Sequence, residues 1–426
     1  MVGETLHNSP GILIVSGVKG DTRRYRTLHL HQQLSLAGVR SVLSHVTDPL
    51  LPGLVNQARV LILHRVIFNP FIAKLIQLVR SNNGLILVDT DDLIFDRSAF
   101  QWIDSPDFKD PVRAALYIDE MQGYGQTLQS SDGVLASTDF LADQVRSMGK
   151  PAWVHRNAAN LELMVLSEQA RQRRQLPNAK IVIGYASGTP THNHDFSQVA
   201  PVLMDFMDAH PEVELKILGF LDLDQHWAKY QNRLIHDKSV PWRELPFKLS
   251  QFDINLAPLD AGNPFSQSKS EIKYLEAALV GVPTLATRTD SYIAAIRSGE
   301  NGLLAGNDQE WRDQLEKLVD PLVRTSLAQN AIKDVNERYS PTSRAHQAVQ
   351  LLNEISKANK QTYSWQEKEY QAGDLQKLWW NPELELHPSE IEMGLYTLRT
   401  RGTGVLAKQI WIYFRRWLAR FFPYGR

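Results

Sequence analysis

In the stretch KSEIKYLEAALVGVP (269–283), two lysines and a glutamate recur at intervals of four and three residues. At about 100° per residue, Lys269, Lys273 and Glu276 fall along one strip of a helix, with Ile272, Leu275 and Leu279 on the neighbouring strip. Such a helix packs one face on a sheet and turns two ammonium groups and a carboxylate toward a cleft. The ammonium groups neutralise much of the charge of a diphosphate. A carboxylate one turn further on accepts hydrogen bonds from ribose hydroxyls. Ser266, Ser268 and Ser270 lie at or before the expected helix start, where hydroxyls cap free N–H groups. The positive end of the helix dipole and its unpaired N–H groups attract phosphate there. The same spacing also suits a solvated Lys/Glu face on an ordinary amphipathic helix.

Other stretches carry chemistry-bearing residues at the ends of apolar runs. DTDDLIFD (89–96) follows such a run, and its close aspartates invite a divalent cation or simply cap a turn. IGYASGTPTHNHD (183–195) is a glycine-containing turn after a strand, with Ser187, Gly188 and Thr189 expected to line a cleft. Its His192 and His194 alone make a poor metal site, and no metal site is expected. GVKGDTRRYR (17–26) follows the first apolar run. Gly17 and Gly20 suit a ligand-approaching loop, and Arg23, Arg24 and Arg26 suit a phosphate or an acidic acceptor, or equally a basic helix start at the surface. ILHRV places His64 and Arg65 at a strand end, where a histidine is structural or faces a site.

The elements that must position these residues follow from hydrophobic patterning. GILIVSG (11–17), VLILHRV (60–66), GLILVDT (84–90) and GVLAS (133–137) read as buried strands, with helical patterns at 24–38 and 69–81 between them. Residues 158–180 are polar, basic and proline-containing, and read as a join. The alternation restarts with strands at 181–187, 213–219, 253–259, 283–287 and 301–306. Two alternating halves predict an α/β protein: two Rossmann-like domains, 1–160 and 161–340, with parallel sheets and ligands beyond the carboxyl ends of the strands. A helical extension, 341–426, follows. Within it, 406–422 sets Leu406, Ile410, Phe414, Trp417 and Phe421 at helical spacing, with Lys408, Arg415, Arg416 and Arg420 in other directions. That segment suits a membrane interface, the first domain, or another subunit.

Composition narrows the function classes. The 426 residues are 43% apolar and 22% charged, with net charge −1, so nothing global points to nucleic acid. With no cysteine, disulfides and thiolate chemistry are excluded, and a cytoplasmic setting fits. The first residues lack the pattern of a signal peptide, and no apolar run of about 18 residues predicts a membrane span. A cytoplasmic protein is the expectation, with contact of 406–422 with the inner membrane face as one alternative beside packing on the first domain or on another subunit.

EAALVGVPTLAT (276–287) resembles the donor-site signature of GT-B glycosyltransferases, especially the retaining family 4. FDINLAPL, SGENGLLAGND, SDGVLASTDFLADQV, VHRNAAN and IGYASGTPTHNHDF resemble further family segments, in order, across much of 11–345. The resemblance implies a GT-B fold, an acceptor-side first domain and a donor-side second domain. It implies sugar transfer with retention from a nucleotide diphosphate-sugar, used as co-substrate without another cofactor or an obligatory metal, to a glycan, lipid-linked or small-molecule hydroxyl. Glu276 falls on the position that binds donor ribose. Lys273 and Lys269 would carry leaving-group charge, with Asp91 or Asp92 near the reacting sugar or acceptor. Ser268, Ser270, Ser187, Gly188, Thr189 and Gly17 would complete the donor side, and Arg24, Arg26, His64 and Asp91 the acceptor side. The family often has a second glutamate where this chain has Ser268, and its basic pair near the start of the second domain is not evident in ASGTPTHNHDFSQ.

Overall fold

Strands buried on both faces need apolar side chains at every position, and the continuous apolar runs fold accordingly. The structure, a computed structural model, describes residues 11–174, 180–189, 192–361, 364–366 and 388–421, with side chains to 415 in the last segment. The first lobe contains β1 (Ile12–Ser16), β2 (Ser41–His45), β3 (Val60–His64), β4 (Leu85–Thr90), β5 (Gly133–Ala136) and β6 (Ala152–Val154). The second contains β7 (Ile181–Ser187), β8 (Val213–Gly219), β9 (Leu234–Asp237), β10 (Ile254–Ala257), β11 (Thr284–Thr287) and β12 (Leu303–Ala305). The sheet orders are β2-β1-β3-β4-β5-β6 and β12-β11-β10-β7-β8-β9. Every strand pairing is parallel. The α/β class with two Rossmann-like sheets is therefore as expected.

Period-two alternation divides each run between two cores. Leu13, Val15, Leu61 and Leu63 enter one cluster, while Ile12, Ile14, Val60 and Ile62 enter the cluster on the opposite face. The helix Pro341–Ala358 closes the second cluster. Its Ala345, Ala348, Val349 and Leu352 form one apolar stripe against Leu30 and Leu34 of the first lobe. The chain thus returns to the first lobe after completing the second.

Three strands have no counterpart in the sequence reading: β2, β6 and β9. All three are sheet edges. An edge strand has one neighbour and less cover, so SVLSH and LIHD carry mixed polarity, AWV is apolar but only three residues long, and all three strands are only partly buried. The helix expected over 24–38 is one rod from Asp21 to Leu36, interrupted by a π-helical turn at Arg24–Leu28. It ends as predicted before Gly38, whose φ is 74°.

Arg26 lies inside the first lobe rather than on its surface. Its Nε and Nη2 each donate to the Asp89 carboxylate at 2.8 Å, and Nη1 donates to the His155 carbonyl at 2.7 Å and Asn157 Oδ1 at 3.0 Å. Both charged side chains are sealed from solvent. Removing one partner of such a pair strands a buried charge. Arg26→Met is expected to cost about 3–5 kcal/mol of unfolding free energy, read by urea denaturation. The double replacement Arg26→Met/Asp89→Leu is expected to recover most of that loss.

Candidate functional site

In the second sheet the order reverses between β7 and β10, and connections leave to opposite sides there. A crevice forms at the carboxyl ends of strands at such a point. The helix Ile272–Leu279 lines it. Asn255 on β10 anchors this helix, its Nδ2 donating to the Lys273 carbonyl at 3.2 Å and to Thr284 Oγ1 at 3.1 Å.

The helix starts later than its sequence suggests. Glu271 is the residue before its first turn, and a separate short helix, Pro264–Gln267, precedes it. The expected serine caps are therefore corrected. Ser266 Oγ donates to Asp195 at 2.9 Å, and Ser268 Oγ, fully buried, donates to the Phe265 carbonyl at 2.7 Å. Ser270 Oγ accepts from Asn157 Nδ2 at 2.8 Å. Tertiary packing sets this break, because Phe265 is buried in the core cluster of the first lobe.

Lys273 and Glu276 lie on this helix, but Lys269 lies before it, so the expected helical strip forms only in part; each of the three has a partner. Lys273 Nζ donates to the Ala186 carbonyl at the end of β7 and lies 4.6 Å from the Tyr185 ring centre. Burial pulls its ammonium down to about 8, with Asp195 and Glu276 opposing and Lys269 reinforcing the fall. Lys269 Nζ reaches across the lobes to Asp92 Oδ1 at 2.6 Å. Glu276 Oε1 accepts from the Tyr25 hydroxyl of the first lobe at 2.5 Å. Burial raises the Glu276 carboxyl, although that hydrogen bond and Arg24 favour its charged form.

Asp195 ties the loops of this lobe together. It is buried, and accepts from the Asp260 backbone N–H at 3.0 Å as well as from Ser266, with His192 Nδ1 at 3.1 Å. Ser187 Oγ donates to the Thr189 carbonyl at 3.2 Å, leaving Gly188 and Thr189 exposed just beyond β7.

The facing edge belongs to β1, β3 and β4. Gly17 donates its N–H to the His64 carbonyl at 2.9 Å, and a Cβ there would lie 2.2 Å from the Arg65 carbonyl oxygen. Only glycine permits that approach. Arg65 itself takes a left-handed conformation, φ 47°. From it the guanidinium forks onto Asp91 Oδ1 at 2.7 Å and Asp92 Oδ2 at 2.5 Å. Burial opposes ionisation of Asp91, but Arg65 and His64 overcome it and hold the carboxyl well below the usual range. His64 is buried, with Ser16 Oγ 3.3 Å from Nδ1. Arg65, Asp92 and Lys269 thus form a charge chain across the lobes. The Asp91 and Asp92 carboxylates serve guanidinium and ammonium groups. Among the described residues no three His, Asp or Glu side chains are grouped to hold a metal ion.

The structure brings Lys269, Lys273, Glu276, Asp91 and Asp92 to one interlobe face. It places Arg26 and Ser268 inside packed structure. Arg24 is buried between the rings of Tyr25 and Trp242, 4.2 and 4.6 Å from their centres. Sequence reasoning gave no site role to Tyr25, Arg65 or Trp242. Tyr25 reads as an apolar member of an amphipathic helix. The π turn that aims it at Glu276 has no sequence signature in this chain, although such turns are frequent at functional sites.

Comparison with known proteins comes down to fold. Residues 201–350 match the family described as Glycosyl transferase-like. No curated protein sequence matches the chain. Among solved structures, sucrose-phosphate synthase from Thermosynechococcus elongatus is similar at a TM-score of 0.56 and 16% identity, over 82% of this chain and 100% of that one. A glycosyltransferase from Rickettsia africae gives 0.56 and 13%, over 82% and 100%. HepE from Anabaena, solved in complex with UDP and glucose, gives 0.53 and 13%, over 81% and 100%. The fold is that of GT-B glycosyltransferases.

Lys273 would give anion binding at this face a pH dependence. Its ordinary value, 10.5, is lowered to about 8 in the folded protein, so it gains a proton as pH falls through 8. A bound diphosphate favours the charged form. Affinity for a nucleoside diphosphate is therefore expected to strengthen from pH 9 to pH 7, with proton uptake near pH 8. Calorimetry in buffers of different ionisation heat reads that uptake. Lys273→Met is expected to abolish this component.

Proposed function

We propose that this chain transfers a sugar from a nucleotide diphosphate-sugar to a hydroxyl acceptor, with retention at the anomeric carbon. One observation carries the reading: Lys273 and Glu276 on one helix, with Lys269 just before it, stand where the strand order of the second sheet reverses, and Lys269 and Glu276 reach partners in the other lobe. The fold and the family match over 201–350 support it.

In this reading the diphosphate takes the place of Asp92 on Lys269 and rests against Lys273. The ribose hydroxyls take the place of the Tyr25 hydroxyl on Glu276. As the bond from the anomeric carbon to the diphosphate oxygen breaks, negative charge grows on the leaving oxygens, and the lysines stabilise it. The acceptor oxygen forms its bond from the same face, and its proton passes to the leaving diphosphate. Holding both reactants between the lobes supplies the remainder of the acceleration. No step is assigned to a metal ion. Asp92, released from Lys269, stays on Arg65 beside the reacting groups.

A noncatalytic sugar-nucleotide-binding role is the second reading. Ser268 favours it, because its hydroxyl is buried and spent on the Phe265 carbonyl, so it contributes nothing in place of a sugar-binding carboxylate. Donor binding without transfer or hydrolysis across a broad acceptor panel would select this reading.

A thermal-shift and mass-spectrometric screen of nucleotide sugars tests both readings at the binding step. One or more donors are expected to raise the melting temperature, and Glu276→Ala and Lys273→Ala are each expected to remove that shift. Lys273→Ala is expected to lower turnover at least a hundredfold while changing the melting temperature of the free protein by only a few degrees. Equal turnover in that variant would reject the assignment.

A further inference from the structure

A cavity lies away from the lysines of the second lobe, at the first lobe's own reversal point between β1 and β3. It has a volume of about 360 Å³, within the range of small-ligand sites. Gly17 and Arg65 lie at the strand ends, Tyr117 and Tyr124 come from the helix Pro111–Gln129, and Tyr396 and Tyr413 come from a helical hairpin. That hairpin pairs Glu390–Arg401 with Thr403–Phe421, turning at Gly402, φ 85°. It is fastened to the first lobe by Arg401–Glu120 at 3.0 Å, Lys19–Glu390 at 2.9 Å and Arg415–Asp110 at 2.9 Å. Arg65 joins this cavity to the interlobe face, since its guanidinium also holds Asp91 and Asp92.

The outer side of the hairpin has a different character. Ile391, Leu395 and Leu398 recur at helical spacing on the first helix, and Ile410, Trp411 and Phe414 on the second. Ile391 is 75% exposed, Trp411 52% and Phe414 47%. Inward-facing Ile412, by contrast, is buried against the cavity. Arg399, Lys408 and Arg415 are exposed beside these strips. From residue 399 onward the sequence has seven lysines and arginines and no aspartate or glutamate. At the start of the hairpin Glu390 pairs with Lys19 and Glu392 accepts from the Ser389 N–H, but along the second helix the exposed aromatic and aliphatic side chains are flanked by cations alone, as an interface-lying helix presents itself to anionic lipid. A protein partner of ordinary composition gives no reason for so one-sided a charge. Among the described residues no helix is long and apolar enough to cross a membrane. The contact is therefore with the surface. Trp417, Phe421, Arg416 and Arg420, part of the sequence expectation for 406–422, have side chains outside the described residues.

We propose that the hairpin seats the protein on an anionic bilayer and that the cavity beneath it receives the hydroxyl-bearing head of an acceptor held in that bilayer. The acceptor role rests on the transferase reading above. The seat does not, and the two fail separately.

Flotation with vesicles of phosphatidylcholine and phosphatidylglycerol at 7:3 tests the seat. The protein is expected to float with these vesicles and not with pure phosphatidylcholine, and to be released at high salt. Ile391→Ser/Trp411→Ser is expected to lose at least tenfold in partition while keeping the thermal shift given by a nucleotide sugar. Unchanged flotation of that variant, or none by the wild type, overturns the seat. So does a wild-type dimer that this variant converts to monomer, which would make the face an interface between copies. Soluble dihexanoyl phosphatidylglycerol, used below its micelle concentration, tests the cavity. It is expected to raise the wild-type melting temperature, whereas inorganic phosphate is not. Met393→Trp, which fills the cavity from its lining, is expected to abolish that rise and to keep the nucleotide-sugar shift. An equal rise in both proteins overturns the cavity assignment. Flotation without any nucleotide-sugar shift in the wild type overturns the acceptor role and leaves the seat standing.

Discussion

Charge pairing across two opposed sheet edges is the constraint on which the site depends. Parallel strands deliver their loops to one end, so each lobe gathers its polar side chains at a single edge. When two such edges meet, cations and carboxylates lose water together and must find partners in each other. Lys269 finds Asp92, Glu276 finds the Tyr25 hydroxyl, and Arg65 holds two aspartates at once. Each of these contacts is one that an anionic ligand with ribose hydroxyls can replace in kind.

Beneath that edge lie fixed supports. Asp195 gathers the Asp260 N–H, Ser266 and the neighbouring His192, and Asn255 pins the helix that carries Lys273. On the opposite side Gly17 passes so close to Arg65 that no larger residue fits, and this sets where the guanidinium begins. Groups placed by buried supports do not have to be ordered when a ligand arrives.

The first lobe shows why buried charge is poor evidence of function. Arg26 and Asp89 come from stretches rich in arginine and aspartate, and both look like site residues in sequence. Their mutual satisfaction inside the lobe makes them a structural pair. Arg65 and Asp92, with similar chemistry, remain at the edge because their strands end there. Arg26 sits on a helix and Asp89 within β4, whereas Arg65 and Asp92 follow the ends of β3 and β4; side-chain type does not separate the two cases.

The sequence by itself determined the α/β class, the two alternating halves, the central strands and the placing of Lys273 and Glu276 on one helix. Those features depend on local periodicity, which repeats within a few residues and is visible in one chain. It did not reveal the edge strands β2, β6 and β9, because half-covered strands need no continuous apolar run. Nor did it reveal the true start of the Ile272–Leu279 helix, which packing of Phe265 in the other lobe decides. The approach of Tyr25 to Glu276 joins residues 251 positions apart, through a π turn that no pattern marks. Contacts of that separation depend on how the lobes close, and only the tertiary structure decided them.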